Sequence, residues 1–374
     1  MNNNKKLGFG CMRLPVNGNL KRTINSKVNV DEFKKMVDLF MSRGFNYFDT
    51  AYIYHLGKSE EALNEALVKR YSRDSFTITD KLPMFMIFTK AQMEKIFNEQ
   101  LKRLGVDYID YYWLHALNHG EFNKAKKLEA YNFIIQKKKE GKIKHIGFSF
   151  HDTADVLEKI IKEFPEMEYV QLQINYLDWE DKKVQSRKCY EICEKYNKKV
   201  IVMEPVKGGT LANVPKEAEK ILKTAEPEMS IASWAIRYVA SLENVVMVLS
   251  GMSNMEQTDD NTNYMMDFKP LTDKERKLIS VVTNIIKGKK QIQCTACRYC
   301  QEGCPANIAI PEYFSLCNRK DEIENLQEEY EKIIKDGAGK ASDCIKCGKC
   351  EEACPQHLPI RNLLENIEGI VYYK

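Results

Sequence analysis

The sequence predicts an α/β fold: a (β/α)8 TIM barrel followed by a small, mainly helical domain. Eight strand-like segments alternate with helical segments within about 250 residues. Parallel strands need long crossover connections, and eight such units close on themselves, so this alternation is typical of a barrel. The competing open, doubly wound sheet would normally show a G-x-G-x-x-G turn after an early strand, but Gly8 and Gly10 lack the third glycine. We therefore expect the barrel.

The strands are predicted from short apolar runs, three of which end at a polar residue. The first run is glycine-rich, and the second follows Gly44, which stops the helix before it. The third alternates apolar and polar residues, the pattern of a half-buried strand. The eight strands are expected at residues 7–10, 47–49, 76–81, 108–114, 143–149, 169–174, 200–203 and 245–249.

The helices are predicted from apolar residues that recur every three or four positions. Phe33, Met36, Val37 and Phe40 show this spacing, and Ser59 with the two glutamates after it supplies a cap and an acidic first turn. Helices between the strands are expected at residues 30–43, 59–70, 89–104, 128–140, 153–164, 182–196 and 229–240.

Cysteine usage divides the chain. The first 293 residues hold three cysteines and the remaining 81 hold nine. The same 81 residues carry ten Lys and Arg against fourteen Asp and Glu, a net charge of −4, whereas the rest carries +8. We therefore expect two domains: a barrel over residues 1–269 and, over residues 270–374, a helical linker that leads into a cysteine-rich domain.

Charge and hydropathy argue against two classes of partner. The lysines are interspersed with acidic residues on predicted helix faces, which is typical of a solvated surface and not of a nucleic-acid site. No run approaches the roughly 18 apolar residues of a membrane span, and the first ten residues do not form a signal peptide. The expected location is the cytoplasm, where cysteines at metal-ligand spacing predict metal sites before disulfides.

Four residues suited to acid–base chemistry lie at the ends of successive strands. Asp49 ends the second strand, Lys81 the third and His115 the fourth, and Tyr54 lies on the turn after Asp49. The carboxyl ends of barrel strands converge, so these side chains should meet. A phenol keeps its proton up to a pH of about 10, so Tyr54 needs nearby positive charge to donate a proton near neutrality.

The order Asp, Tyr, Lys, His, with D-T-A-x-x-Y at 49–54 followed by Gly57, Ser59 and Glu60, resembles the aldo/keto reductases over about residues 7–265. The resemblance implies that Tyr54 protonates a carbonyl oxygen as hydride arrives at carbon. Lys81 would lower the pKa of Tyr54, Asp49 would hold Lys81, and His115 would orient the carbonyl or share the proton.

The same resemblance implies a bound nicotinamide nucleotide. Ser149 and Gln171 match positions that hold the nicotinamide amide, and segments 203–209 and 249–257 match the pyrophosphate and ribose region. The expected nucleotide-binding residues are Met12, Ser149, Gln171, Lys207, Ser250, Gly251, Ser253, Gln257 and Asn261.

The chain departs from the family pattern in its nucleotide loops. NADP-preferring relatives usually place Lys and Arg where Gly251 and Gln257 stand, and the loop 207–209 lacks the aromatic residue that many members stack on the nicotinamide. Phe150 and His151 follow Ser149, where the family often has Asn. Recognition of the amide and of any 2′-phosphate must therefore differ in detail.

Two runs of the form C-x2-C-x2-C-x3-C-P begin at Cys294 and Cys344. In two-cluster ferredoxins the first three cysteines hold one cube and the cysteine before proline reaches the other. Zinc would instead use paired Cys-x2-Cys ligands. The runs resemble helical ferredoxin modules over 290–360 and imply two 4Fe-4S clusters, the first held by Cys294, Cys297, Cys300 and Cys354 and the second by Cys304, Cys344, Cys347 and Cys350.

These features predict an oxidoreductase that reduces an aldehyde or ketone with hydride from NAD(P)H. Nicotinamide moves two electrons together and each cluster moves one, so coupling them ordinarily needs a flavin or a substrate radical, and no flavin motif is visible. Three hypotheses stay open. The clusters are structural or sensory, or an external ferredoxin or flavoprotein feeds electrons through them to the barrel, or the protein is an electron-transfer partner with a silent barrel.

Overall fold

Eight parallel strands close into a barrel, each paired with the next in sequence and the last with the first. The computed structural model describes residues 5–17, 27–289, 292–320 and 322–372, apart from the side chain of Glu302. The first four residues of the segment considered for a signal peptide lie outside these ranges. The strands are β1 Leu7–Gly10, β2 Tyr47–Asp49, β3 Thr77–Leu82, β4 Ile109–Leu117, β5 Ile143–Phe150, β6 Tyr169–Gln173, β7 Lys199–Met203 and β8 Val245–Ser250. The predicted (β/α)8 barrel is confirmed.

The helices of this part of the chain connect the strands or follow the last of them. They are α1 Val30–Ser42, α2 Lys58–Leu63, α3 Lys90–Leu104, α4 His119–Lys127, α5 Ala130–Lys139, α6 Ala154–Glu163, α7 Ser186–Lys195, α8 Lys216–Ala225, α9 Ile231–Ala240, α10 Met255–Met266 and α11 Asp273–Gly288.

Two of the helices that connect successive strands, α4 and α8, were not predicted from the sequence. Each buries only two residues, Phe122 and Ala125 in α4 and Ala218 and Leu222 in α8. So short an apolar face gives a weak periodic signal.

The inside of the barrel is filled by one face of the strands. Six side chains from four strands form a cluster separate from the outer core, and they are Tyr47, Tyr111, Trp113, Ile201, Met247 and Leu249. Because side chains alternate between the two faces of a strand, Asp49 shares the face of Tyr47, and His115 shares the face of Trp113. The same alternation that fills the barrel therefore carries polar side chains to its carboxyl end.

The opposite strand face packs against the helices. Phe9, Phe40 and Phe48 meet there with ring centroids 5.4 to 5.9 Å apart, and all three are fully buried. This layer extends round the barrel as one large core. Aromatic burial of this kind contributes a large share of the free energy that holds helices on the sheet.

A second compact unit comprises residues 284 onward together with the short segment Lys207–Leu211, while the first comprises residues up to Val206 and Ala212–Thr283. The second unit has its own core, in which the rings of Tyr313 and Tyr330 lie 4.8 Å apart. The predicted boundary at residues 269 and 270 stays a prediction. The helices of the second unit are α12 Tyr299–Glu302, α13 Ile310–Asn318, α14 Leu326–Lys335, α15 Lys349–Glu352, α16 Ile360–Glu365 and α17 Ile367–Tyr372. None of the helices in the described ranges has the length and apolar character that crossing a bilayer requires.

Gly147 on β5 provides a test of strand packing. A Cβ atom there would lie 2.2 Å from the carbonyl oxygen of Tyr169 and 2.7 Å from the ring of Trp113. We expect Gly147→Ala to lower the free energy of unfolding by about 1–3 kcal/mol because the strands must separate to admit a methyl group. Thermal unfolding followed by circular dichroism measures this. Gly369→Ala is the control, since no described atom lies within 4 Å of its added methyl group. An unchanged midpoint for Gly147→Ala would contradict the packing described.

Candidate functional site

Asp49 and Lys81 form a buried ion pair at the carboxyl ends of β2 and β3. Lys81 Nζ lies 2.6 Å from Asp49 Oδ1 and donates a second hydrogen bond, 2.5 Å long, to the carbonyl oxygen of Thr50. The two side chains are 1% and 4% exposed. Burial raises the pKa of Asp49, and the ammonium group of Lys81 opposes that rise. The pair therefore fixes a positive charge in a site that water hardly reaches.

Tyr54 lies beside this charge. Its ring centroid is 5.0 Å from Lys81 Nζ and 6.2 Å from the imidazole centroid of His115. Tyr54 begins a short turn in which His55 and Leu56 have positive φ angles of 52° and 56°. Such left-handed residues carry strain, and strained backbone is concentrated at functional sites. All four predicted catalytic residues are thus brought together.

His115 is a buried imidazole. Burial first, and then the positive charge of Lys81, hold its pKa well below the usual value of 6.5. Its Nδ1 atom has no hydrogen-bond partner among the described residues, and its ring lies 5.6 Å from that of Phe85. The neutral ring therefore retains polar capacity for a ligand. Phe85, Met86, Phe88 and Leu56 are exposed apolar residues on two segments that meet this cluster.

Two buried carboxyl groups lie behind Lys81, and sequence reasoning did not assign them a role. Asp80 and Glu60 are both 0% exposed and hydrogen-bond to each other. Burial and the neighbouring carboxyl raise the pKa of Asp80 well above its usual range, and burial raises that of Glu60 although Arg103 opposes it. The burial of both groups therefore favours their neutral, protonated forms. The only sequence signal was an acidic residue directly before Lys81.

Gln171 and Ser149 lie side by side on β6 and β5, in register. Gln171 Nε2 donates to Asp49 Oδ2 at 3.3 Å, while its Oε1 atom is buried and without a hydrogen-bond partner in the described part of the chain. The Ser149 hydroxyl accepts the backbone N–H of Ala116 at 2.7 Å, where β4 is irregular and φ is 55°. Gln171 thus offers an orphaned acceptor of the kind a carboxamide would satisfy.

The residues predicted to hold the rest of the nucleotide are already engaged with one another. Asn261 Nδ2 donates to Ser250 Oγ at 2.8 Å. Gln257 Oε1 accepts the backbone N–H of Ser253 at 2.8 Å, and Asn254 caps α10 by accepting the backbone N–H of Gln257. Gly251 lies beside Arg13, and Met12 lies half-buried in the turn after β1.

Arg13 and Glu204 form an ion pair that sequence reasoning missed. Arg13 Nη2 lies 3.2 Å from Glu204 Oε1. Glu204 Oε2 is buried and has no hydrogen-bond partner among the described residues. Glu204 has a φ of 55°, a strained value for a residue with a side chain. The two residues are 191 positions apart, so no local pattern indicates the contact.

Lys207 is found in the second unit. It is 2% exposed, and its Nζ donates to Gln356 Oε1 at 3.2 Å. Its predicted contact with the nucleotide stays a prediction.

The eight cysteines of the two runs line two cavities. One is lined by Cys294, Cys297, Cys300 and Cys354. The other is lined by Cys304, Cys344, Cys347 and Cys350. Each cavity therefore draws three cysteines from one run and one from the other, the ligand arrangement of two-cluster ferredoxins. None of these eight cysteines forms a disulfide with a described residue, and the backbone nitrogen of Ala296 lies 3.4 Å from Cys294 Sγ. Four sulfurs around a cavity fit an iron–sulfur cube; among the described residues, no three ligands converge tightly enough for a single ion.

The two cysteine runs also repeat in backbone conformation. Three residues in or just after each run have a positive φ, and each lies 50 positions from its counterpart in the other run. The pairs are Ala296 and Lys346, Arg298 and Gly348, and Asn307 and His357. These residues turn the backbone sharply round each cavity, so the sulfurs face a common space. The repeat supports equivalent roles for the two cavities.

The depressed pKa of His115 can be measured directly. Because its pKa in the folded state lies below the unfolded value of about 6.5, the neutral ring contributes stability that is present above pH 6.5 and is lost as pH falls. We expect its ring nitrogens to remain those of a neutral imidazole at pH 6 in nitrogen-15 NMR spectra of histidine-labelled protein. His115→Gln identifies the signal by its loss, and a ring protonated at pH 6 would contradict the burial described.

The chain resembles several known proteins. The chain is 23% identical over 304 residues to the uncharacterized oxidoreductase YqkF of Bacillus subtilis, across 73% of this chain and 91% of that protein. It is 24% identical over 261 residues to the NADH-specific methylglyoxal reductase of Escherichia coli, across 58% and 78%. The fold resembles aldo-keto reductase AKR11C1 of Bacillus halodurans, with a TM-score of 0.58, 22% identity and coverage of 74% and 91%. It also resembles an aldo-keto reductase of Klebsiella pneumoniae in complex with NADPH, with a TM-score of 0.59, 17% identity and coverage of 74% and 90%.

Two family models account for most of the chain. Residues 293–358 match the 4Fe-4S dicluster domain. Residues 6–283 match the aldo/keto reductase family. The chain therefore belongs to the aldo/keto reductase family and is an oxidoreductase whose barrel is followed by a 4Fe-4S domain.

Proposed function

We propose that the protein reduces the carbonyl group of a small aldehyde or ketone, with NAD(P)H as hydride donor and Tyr54 as proton donor. One observation carries the proposal: the ammonium group of Lys81, held by Asp49, lies 5.0 Å from the ring centroid of Tyr54. A phenol that loses its proton becomes negative, and a fixed cation beside it favours that state.

The chain's own residues divide the work. Tyr54 donates its hydroxyl proton to the carbonyl oxygen, and Lys81 stabilises the phenolate that remains. Asp49 prevents the ammonium group from moving away, since its 2.6 Å contact and the Thr50 carbonyl both hold Nζ. His115, neutral at pH 7 because of burial, binds the carbonyl oxygen through a ring N–H and does not compete as a cation. When bound, NAD(P)H supplies the hydride to the carbonyl carbon.

Gln171 and Ser149 would hold the nicotinamide amide. The orphaned Oε1 of Gln171 accepts an amide N–H, and the Ser149 hydroxyl donates its own hydrogen while its oxygen accepts from Ala116. We favour NADH over NADPH. Gly251 has no side chain to bind a 2′-phosphate, the Gln257 side chain is occupied by the backbone N–H of Ser253, and a relative is named as NADH-specific.

The substrate is expected to be apolar around its carbonyl group. The ring of Phe85 lies 5.6 Å from that of His115 and is 37% exposed, Met86 and Phe88 are exposed close to it in sequence, and Leu56 is exposed two residues after Tyr54. Exposed apolar residues beside polar catalytic groups are typical of a binding cleft for organic ligands.

The two cysteine-lined cavities are proposed to hold one 4Fe-4S cluster each, with the ligand sets given above. Bound clusters supply one-electron transfer. Since hydride transfer moves two electrons together, carbonyl reduction by NAD(P)H does not pass through them without a flavin or a substrate radical. In this proposal the clusters serve stability or a separate electron circuit.

Tyr54→Phe tests the barrel chemistry. We expect kcat for NADH-dependent reduction of a probe aldehyde such as methylglyoxal to fall by about 10²- to 10⁴-fold, because the phenol is the proton donor. The dissociation constant for NADH, measured by fluorescence quenching, should not change. The matched control is Tyr52→Phe, which removes a hydroxyl that donates to Glu99 Oε2 at 3.0 Å and should leave kcat intact. Turnover with reduced ferredoxin but not with NAD(P)H would overturn the proposal in favour of cluster-fed reduction.

Cys297→Ala tests the cluster assignment. We expect the iron content of anaerobically purified protein to fall from about eight to about four atoms per chain, since one cube loses a ligand. Iron and sulfide analysis with visible absorbance measures this. Cys317→Ala is the control, because Cys317 is buried in the same unit but lines neither cavity, and it should retain all the iron. Full iron content in Cys297→Ala would contradict the ligand set.

A further inference from the structure

The segment Lys207–Leu211 follows β7 in the chain but belongs to the second unit. Lys207 is 2% exposed, and its ammonium group donates to Gln356 Oε1 at 3.2 Å. Gln356 is itself 7% exposed and comes two residues after Cys354. A buried lysine is rare unless its charge is used, and here it contacts the immediate neighbourhood of a cluster ligand.

The next residue shows how closely this segment approaches. A Cβ atom on Gly208 would lie 2.3 Å from the carbonyl oxygen of Thr295, and its φ is 64°. Only glycine fits both the space and the conformation. Thr295 is 2% exposed and follows Cys294 directly. Lys207 and Gly208 therefore pack against both stretches that supply cysteines to the first cavity.

Gln356 and Thr295 line that cavity together with its four cysteines. The charged side chain that lines this cavity, Arg298, is ion-paired with Glu312. The second cavity differs. Its Cys347 and Lys349 are exposed, and its Arg361 is paired with Glu351 at 2.7 Å. Water therefore screens the charge of the exposed Lys349 more than that of Lys207, which is 2% exposed.

A 4Fe-4S cluster with four thiolates is negative, and reduction adds one further negative charge. Burial disfavours that added charge, so the more enclosed first cavity makes its cluster the harder one to reduce unless a cation compensates. The ammonium group of Lys207 donates a hydrogen bond to Gln356, which lines this cavity, and little water reaches it. Its positive charge favours the added electron and so opposes the effect of burial.

We propose that Lys207 raises the reduction potential of the cluster held by Cys294, Cys297, Cys300 and Cys354. Lys207 is a positioning charge and not a ligand, and Gly208 permits its approach. The inference rests on the two clusters of the proposed function. It assigns the lysine of the loop after β7 to electron transfer in the second unit, in place of nucleotide binding.

The test is an anaerobic redox titration of the holoprotein, with dithionite as reductant and the reduced clusters followed by EPR. Cys297→Ala identifies the signal of the first cluster by its loss. We expect Lys207→Met and Lys207→Gln to weaken the one-electron reduction of that cluster at least tenfold, a shift of about 59 mV to more negative potential. Lys207→Arg, which keeps the charge, should retain most of the wild-type value, and the second cluster should not shift.

Lys349→Met is the matched control, because Lys349 lines the second cavity and is exposed. It should leave the first cluster unchanged. Lys207→Gln separates charge from polarity, since it removes the positive charge but keeps a polar donor, whereas Lys207→Met removes both. If both uncharged variants bind full iron and keep the wild-type potential, or if Lys207→Arg shifts it as far as Lys207→Met does, the inference is wrong while the proposed function stands. A wild-type protein that binds no cluster after reconstitution would overturn both.

Discussion

The buried ion pair between Asp49 and Lys81 is the interaction on which the carboxyl end of the barrel depends. Moving a carboxylate and an ammonium group out of water costs several kcal/mol for each ion, and the attraction between them offsets this only when the geometry is good. Here the 2.6 Å contact is supplemented by the Thr50 carbonyl and by Gln171, so both charges have further hydrogen bonds. Loss of either partner would leave a charge buried alone. The pair therefore restricts Lys81 to one position, and Tyr54 and His115 are arranged around that position.

Strand alternation makes β3 carry two different electrostatic environments. Lys81 faces the inside of the barrel with Asp49, and Asp80 faces the helices, where Glu60 and Arg103 lie. Burial raises the pKa of both Asp80 and Glu60 and so disfavours their charged forms, which reduces how much of the ammonium group's field they cancel. The helix layer thus influences the site although it contributes no group to it.

The two units combine chemistries with different electron counts. Residues around Lys81 suit a proton donor acting with a two-electron hydride donor, and the cysteine-lined cavities suit one-electron carriers. In the chain, Glu204 and Lys207 are only three residues apart, yet Glu204 pairs with Arg13 in the first unit and Lys207 with Gln356 in the second. One short loop therefore contributes to both units. The proposed role of Lys207 in raising the reduction potential of the first cluster gives this loop a function in the second unit, in addition to the ion pair that Glu204 forms in the first.

The sequence by itself determined the barrel, the two cysteine runs and the four residues at the strand ends. These depend on local patterns: two-residue alternation in strands, helical spacing, and ligand spacing within a run. The weakly apolar helices α4 and α8 were not predicted because their buried faces are too short to show a helical period.

Only the tertiary structure decided which distant residues meet. Arg13 and Glu204 are separated by 191 positions and Lys207 and Gln356 by 149, and no local energy term links such residues. The orphaned oxygen of Gln171 and the raised pKa values of Asp80 and Glu60 also arise from burial, which depends on the whole packed chain. Sequence thus named the chemical groups, while packing set their charges and partners.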